Sequence, residues 1–271
     1  MRVALTIAGS DSGGGAGIQA DLKTFQAFGV FGTSAVTALT AQNTRGVDAV
    51  HAVPPEMVRA QIHAVATDLA PSASKTGMLA TLGIVRAVAA SIRAEKLNNV
   101  VVDPVMVATS GDRLLDRDAE GGIVDELLPL CTLVTPNLDE AALMAEFPIQ
   151  AEDAMERAAR LLVERGARAA LVKGGHLAGD TVTDLLFDGR EVRVWRRPRL
   201  ATRSTHGTGC TLSAAIAAGL ALGRPLETAV EDGLDFVHRA MIAAPGLGAG
   251  NGPLNHFVPA PSGSRVPAAS R

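Results

Sequence analysis

Residues Ser204-Thr205-His206-Gly207-Thr208-Gly209-Cys210-Thr211 form a glycine-rich turn that leads into Leu212, Ile216 and Leu220 at helical spacing. Such a turn leaves backbone N–H groups unpaired at the positive end of a helix dipole, which suits an anion and above all phosphate. Cys210 would lie in the same field, which favours its thiolate; as a small residue at a helix start it could also be core, and the surrounding Gly-Thr-Gly favours function. Other reactive side chains recur where apolar runs end: Asp11, Gln42 with Asn43, Thr76–Met78, Asp103, Asn137 with Glu140, and Lys173-Gly174-Gly175-His176. Asn137 and Glu140 share one face of a helix start. By themselves they would make a capping box. With Asp103 and Lys173 at neighbouring strand ends they suit a magnesium–phosphate site, where hard oxygen donors and waters complete the sphere.

Lys173 follows the buried run Ala169–Val172, and could snorkel to solvent; the two glycines after it leave open backbone beside it, as a phosphate contact needs. Gly13–Gly17 lacks the lysine of a Walker loop. Gly15-x-Gly17-x-x-Ala20 fits a dinucleotide fingerprint, but Thr40 and Ala41 stand where its ribose-binding acid belongs. A plain tight turn remains open there. Asp21, early in the next helix, is a dipole partner or a site residue. His176 and His206 show no metal-ligand spacing, and His206 could shape the anion turn. Cys131 reads as core.

These residues need elements to hold them. Helices are expected over Gly17–Phe28, Pro54–Leu69, Leu82–Glu95, from Asn137 onward, over Ala151–Arg165, after Thr208 and over Pro225–Met241. Strands are expected over Val3–Ala8, Phe31–Ala38, Ser74–Met78, Asn99–Asp103, Leu133–Thr135 and Ala169–Lys173, and two more in Thr183–Trp195 around the hairpin signal Asp188-Gly189. Alternating β and α predicts a mainly parallel sheet covered on both faces, with an antiparallel edge hairpin. Ligands of such sheets bind beyond the carboxyl ends of the strands, where the reactive residues fall.

The 271 residues, 47% hydrophobic and 20% charged, suffice for one large α/β domain. A net charge of −3 and the scarcity of aromatics (no Tyr, one Trp, seven Phe) speak against nucleic acid and anionic membranes as partners. No apolar run approaches a membrane span. Two cysteines and no secretory signal point to the cytoplasm.

Seven segments together resemble the ribokinase-like superfamily and, within it, the hydroxymethylpyrimidine/phosphomethylpyrimidine kinases. They are Ile7–Thr24 with Ala8-Gly9-Ser10-Asp11-Ser12-Gly13-Gly14-Gly15-Ala16-Gly17, Thr40-Ala41-Gln42-Asn43-Thr44, Lys75-Thr76-Gly77-Met78-Leu79 and Val102-Asp103-Pro104-Val105-Met106, then Thr135-Pro136-Asn137-Leu138-Asp139-Glu140-Ala141, Val172–His176 and Thr205–Thr211. The resemblance implies a three-layer αβα sandwich over residues 1–257 and a homodimer; residues 258–271, rich in Pro, Ala and Ser, read as a disordered tail. It implies ATP and Mg²⁺ as cofactors and an aminopyrimidine substrate, phosphorylated once and then again on its monophosphate for thiamine biosynthesis. Asp21 and Gln42 would hydrogen-bond the pyrimidine, and Met78 and Val105 would pack on its ring. Asp103 and Glu140 would organise the metal, with Asn137, Lys173 and Thr208 on the nucleotide. Gly207, Thr208 and Gly209 would face the transferring phosphoryl, and Cys210 would be the base where most ribokinase relatives carry Asp. A pyridoxal/pyridoxine kinase is the nearest rival. A nicotinamide-dependent oxidoreductase and a non-catalytic pyrimidine-binding regulator are more distant ones.

Overall fold

The computed structural model describes residues 1–108, 111–175, 177 and 179–261. His176 and residues 262–271 of the expected tail lie outside the described residues. In chain order the elements are β1 (Val3–Ala8), α1 (Gly17–Ala27), β2 (Phe31–Val36), β3 (Ala38–Gln42), β4 (Val47–Ala52), α2 (Pro55–Leu69) and β5 (Ala73–Thr76). Next come α3 (Leu82–Ala94), β6 (Val100–Val102), α4 (Arg117–Gly122), β7 (Leu133–Val134), α5 (Leu138–Ala145), α6 (Glu152–Glu164) and β8 (Ala170–Lys173). The chain continues through β9 (Thr181–Phe187), β10 (Val192–Pro198), α7 (Thr208–Ala221) and α8 (Leu226–Ile242).

Eight strands form one sheet in the order β10-β9-β8-β7-β6-β5-β1-β2. From β2 to β8 every pairing is parallel, and β9 and β10 add the expected antiparallel edge. Alternate strand residues face opposite ways. Leu5, Ile7, Val102, Val134 and Val172 pack toward α2, α3, α5 and α6, while Ala4, Ala73, Val101, Leu133 and Leu171 pack toward α1, α7 and α8. The three-layer sandwich thus follows from strands that are apolar on both faces.

α7 is buried all the way round from Thr211 to Ala221, more than the single stripe of Leu212, Ile216 and Leu220 implied. It lies between α1, α8 and the sheet, and its small residues admit that closeness: a Cβ on Gly219 would stand 2.8 Å from that of Ala229.

The structure departs from the sequence pattern in three places. The strand expected over Phe31–Ala38 ends at Val36, and β3 pairs with β4 in a separate two-stranded sheet. The side chains of β4 are nearly all exposed, so no alternation announced it. Residues 117–130 are helical in short pieces, with a π turn at Ile123–Leu127 and a 3₁₀ turn at Leu128–Leu130; Gly121-Gly122 hides them from a periodicity search. The β9–β10 connection is the four-residue loop Asp188–Glu191, because the Asp188 carboxylate accepts the N–H groups of Arg190 and Glu191, both at 2.8 Å. Of the expected tail, Val258 and Ala260 pack against the α1/α7/α8 core. Among the described residues no helix is long and apolar enough to cross a membrane.

Phe28 and Phe236 meet edge-on with ring centroids 5.2 Å apart, locking the turn after α1 to α8. Phe236→Ala is expected to lower the unfolding free energy by about 3–5 kcal/mol in a urea titration.

Candidate active site

The site is assembled where α1 and α7 begin, at the carboxyl edge of β1, β5, β6 and β8. The chain leaves β1 into a glycine loop organised by Asp11. Its buried carboxylate accepts the N–H of Gly13 (2.8 Å), Gly15 (2.9 Å) and Ala16 (2.8 Å) and meets His206 Nε2 at 2.8 Å. Burial works against its charge, but His206 and these amides outweigh it and hold its pKa below the ordinary carboxylate value. The loop amides are therefore engaged from within, which is the tight-turn reading of Gly13–Gly17. Asp11 and His206 join the loop before α1 to the turn before α7.

Gly207 caps α7 with φ +82°, and a Cβ on it would overlap the Gly15 carbonyl oxygen. Gly17 starts α1 with φ +56°, and its Cβ would stand 2.5 Å from Gly9 O. Two helix N-termini thus approach one another, which only glycine allows at these points. Cys210 lies in the first turn of α7 beside this junction, where the Gly17 N–H favours charge on its sulfur. The expected thiolate is not what the structure favours. Burial, opposed by Lys75 and reinforced by Asp21 and Asp103, pushes the thiol up to about 11. At neutral pH it carries its proton, because desolvation exceeds the help of Lys75 and the Gly17 N–H. Cys131 is core, as expected, with burial pushing its thiol up to about 12.

Lys173 ends β8 beside this turn: Gly209 lies so close that a Cβ there would be 3.3 Å from Nζ and 3.6 Å from Asp103 Oδ2. Nζ donates to Asp103 Oδ1 at 3.0 Å, and Thr135 (3.2 Å) and Ser213 (3.1 Å) donate to the same carboxylate. Burial opposes both charges, yet each partner holds the other ionised: the lysine lies above its usual value and Asp103 below its own.

Asn137 and Glu140 form the capping box of α5. Asn137 N–H donates to Glu140 Oε2 at 2.7 Å, and Glu140 N–H donates to Asn137 Oδ1 at 2.9 Å. A parallel bridge sets Asn137 beside Lys173. Burial, opposed by Lys173 and reinforced by Asp103, pushes the Glu140 carboxyl up to about 7. Among the described residues no three His, Cys, Asp or Glu side chains converge. The carboxylates of Asp103 and Glu140 are hard donors too few to enclose a cation, a set that fits Mg²⁺ held largely by phosphate oxygens and water.

Gln42 ends β3 half-buried at a bulge, its backbone N–H donating to Ser12 Oγ at 2.8 Å and its Oε1 accepting from Thr40 at 3.2 Å. Met78 packs on Gly9, and Val105 is half-buried two residues past Asp103. Thr208, half-buried, donates its N–H to Thr205 O.

Asp21 departs furthest from expectation. It is fully buried beneath the crevice; Lys75 Nζ donates to its Oδ1 and Oδ2 at 3.0 and 2.9 Å, and Thr6 Oγ1 donates at 2.6 Å. With both oxygens occupied it presents no surface to a ligand, so its expected bond to a pyrimidine has no geometric basis here. Lys75, Thr6, Thr135 and Ser213 had no role in the sequence reading. Lys75 alone left a signal, as a cation inside an otherwise uncharged strand.

The family described as phosphomethylpyrimidine kinase matches residues 11–255, which include every residue of this edge except Thr6 and Gly9. The chain belongs to the phosphomethylpyrimidine kinase family. A hydroxymethylpyrimidine/phosphomethylpyrimidine kinase of Rhizobium meliloti is 55% identical over 258 residues, covering 94% of this chain and 97% of the relative. A solved phosphomethylpyrimidine kinase from Clostridium difficile superposes with a TM-score of 0.80 at 39% identity, covering 89% of this chain and 99% of the other. An ADP complex of Bacillus subtilis pyridoxal kinase superposes with a TM-score of 0.87 at 36% identity, over 94% and 97% of the two chains. The ribokinase-like fold and the kinase class expected from sequence both hold.

Two predictions follow from this geometry. Gly207→Ala should lower stability by about 1–3 kcal/mol in urea unfolding, since the added Cβ meets Gly15 O from a left-handed backbone. Glu140 keeps a proton in the folded protein between about 4.5 and 7, where the unfolded chain has lost it, so this group's contribution to stability falls as pH rises through that window. Glu140→Gln should flatten the fall, read from thermal unfolding across pH 4.5–7.5 without divalent cations.

Proposed function

We propose that this kinase transfers the γ-phosphoryl of ATP to the hydroxymethyl group of 4-amino-5-hydroxymethyl-2-methylpyrimidine, and then to the resulting monophosphate, supplying the diphosphate for thiamine biosynthesis. The observation that carries this reading is the start of α7: Gly207–Gly209 beside Lys173 and Asp103, with Cys210 at the junction of two helix N-termini. Phosphoryl transfer needs alignment and charge neutralisation more than covalent help. The α7 N-terminus supplies oriented N–H groups, and Lys173 supplies a mobile cation for the phosphates.

In the step itself the substrate oxygen bonds the γ-phosphorus as the bond to the bridging oxygen breaks and ADP departs. Cys210 would take the hydroxyl proton late, acting through its thiolate, which is the minor form of the unliganded site at neutral pH. Asp103 and Glu140 would hold Mg²⁺, which neutralises polyphosphate charge when bound. Asn137, Lys173 and Thr208 would line the nucleotide side. Gln42 would pair with the ring nitrogen and exocyclic amine, since its amide both accepts and donates, with Met78 and Val105 against the ring. Free Cys131 and Cys210 support a reducing, cytoplasmic setting. Exposed Leu39 and Val50 on the β3–β4 hairpin support a homodimer, and residues 1–257 would be its kinase domain.

Pyridoxal phosphorylation is the second reading, favoured by the likeness to the pyridoxal kinase structure. ATP consumption with the pyrimidine, its monophosphate and pyridoxal in parallel separates the two. The pyrimidines should give the higher kcat/KM, and a pyridoxal preference would reverse the assignment. Cys210→Ser is expected to lower kcat about tenfold, less than a usual general-base contribution, because positioning and charge neutralisation carry most of the rate. Gly209→Val, which drives a side chain into Lys173 and Asp103, should lower it about a thousandfold.

A further inference from the structure

The segment after α8, Gly246-Leu247-Gly248-Ala249-Gly250-Asn251-Gly252, has no part in the reaction as derived so far. It forms a strap with two anchorages. The first is Thr44, two residues past Gln42 in the turn that joins β3 to β4. Asn251 N–H donates to Thr44 O at 2.8 Å, and Gly250 N–H donates to Thr44 Oγ1 at 3.2 Å. The contact is so close that a Cβ on Gly250 would stand 1.9 Å from Thr44 O, and one on Gly248 2.3 Å from Thr44 Oγ1.

The second anchorage is the segment before α7. The Arg203 guanidinium donates to Ala249 O at 2.7 Å, Gly252 N–H donates to Arg203 O at 3.1 Å, and His206 N–H donates to Gly252 O at 3.1 Å. Pro253 pairs with His206 in a parallel bridge, immediately before Gly207. At the hairpin end the turn is tied internally. Asn43 N–H donates to Gly46 O at 3.1 Å, and Arg45 N–H donates to Asn43 Oδ1 at 2.8 Å, while Gln42 N–H is held by Ser12. A short run of hydrogen bonds therefore joins the turn after Gln42 to the turn before Gly207 without passing through the sheet.

We propose that Thr44 is a positioning residue for phosphoryl transfer: pinned by the strap, it sets the separation between Gln42, which orients the acceptor, and the Gly207–Gly209 turn, which faces the phosphoryl. This rests on the reading that Gln42 holds the pyrimidine. Thr44 and the strap act through the two segments they join. In-line transfer tolerates little misalignment, and a shift of about 1 Å can cost about a hundredfold. A misaligned acceptor also leaves the γ-phosphoryl to water. The ATP consumed per pyrimidine phosphorylated therefore reports alignment, whereas a loss of folded enzyme lowers both reactions together.

The test uses the full-length chain with ATP and the pyrimidine, and thermal unfolding as the check on folding. Gly250→Ala drives a methyl group into Thr44 O and lifts the strap. It should lower kcat about tenfold and raise the ATP consumed per product at least twofold. Ala249→Ser, at an exposed position of the same strap, should change neither. Thr44→Val removes the hydroxyl and should lower kcat about fivefold, while Thr44→Ser keeps it and should stay within twofold of wild type; this pair decides if Gly250→Ala does not fold. In hydrogen exchange, amides of residues 43–47 and 205–208 should both exchange faster in Gly250→Ala. A kcat of Gly250→Ala within twofold of wild type, an unchanged ratio of ATP to product, a Thr44→Ser as slow as Thr44→Val, or faster exchange at the hairpin alone would each overturn the proposal. Should the wild type fail to turn over the pyrimidines, the functional reading falls, while hydrogen exchange still decides whether the strap joins the two ends.

Discussion

The carboxyl edge of the sheet depends on bringing two helix N-termini together against the repulsion of their dipoles. Asp11 makes that possible. One buried carboxylate gathers three loop amides before α1 and the imidazole of His206 before α7, placing negative charge between two positive ends. Backbone contact completes the approach, with Gly207 against Gly15 and Gly17 against Gly9.

The same edge holds two lysine–aspartate pairs in different settings. Lys173–Asp103 borders the crevice, with part of the lysine accessible, and a ligand's phosphates can compete for its ammonium. Lys75–Asp21 is sealed, and nothing from solvent can exchange with it. A charge that must meet substrate has to remain reachable, whereas a charge that sets a local field is strongest where water is excluded. Lys75 stands on β5 and Lys173 on β8, with β6 and β7 between them.

Much of the fold was legible along the chain because the parallel strands are short, apolar and separated by helices of clear period. β3 and β4 were not: β4 is mostly exposed, and β3 alternates in burial with a threonine inside and a leucine outside, so its hydropathy does not follow its burial. The helical pieces of 117–130 were hidden by paired glycines. At the site, Lys173, Asp103, Asn137 and Glu140 were identified in advance because polar residues at the ends of apolar runs must fall on the binding edge. The capping box was legible for the same reason, being a purely local pattern.

Charge state and partnership were decided only by packing. Asp21 looks alike on paper whether it meets ligand or lysine, and its partner is 54 residues away on another strand. The thiol of Cys210 sits at a helix start in either view, yet burial, which no spacing reveals, outweighs the nearby Lys75 and leaves it protonated. The sequence by itself determined which residues reach the carboxyl edge, because strand and helix periods are local properties. The tertiary structure decided which of them face solvent, which face one another and which keep a proton, because those depend on distances between segments remote along the chain.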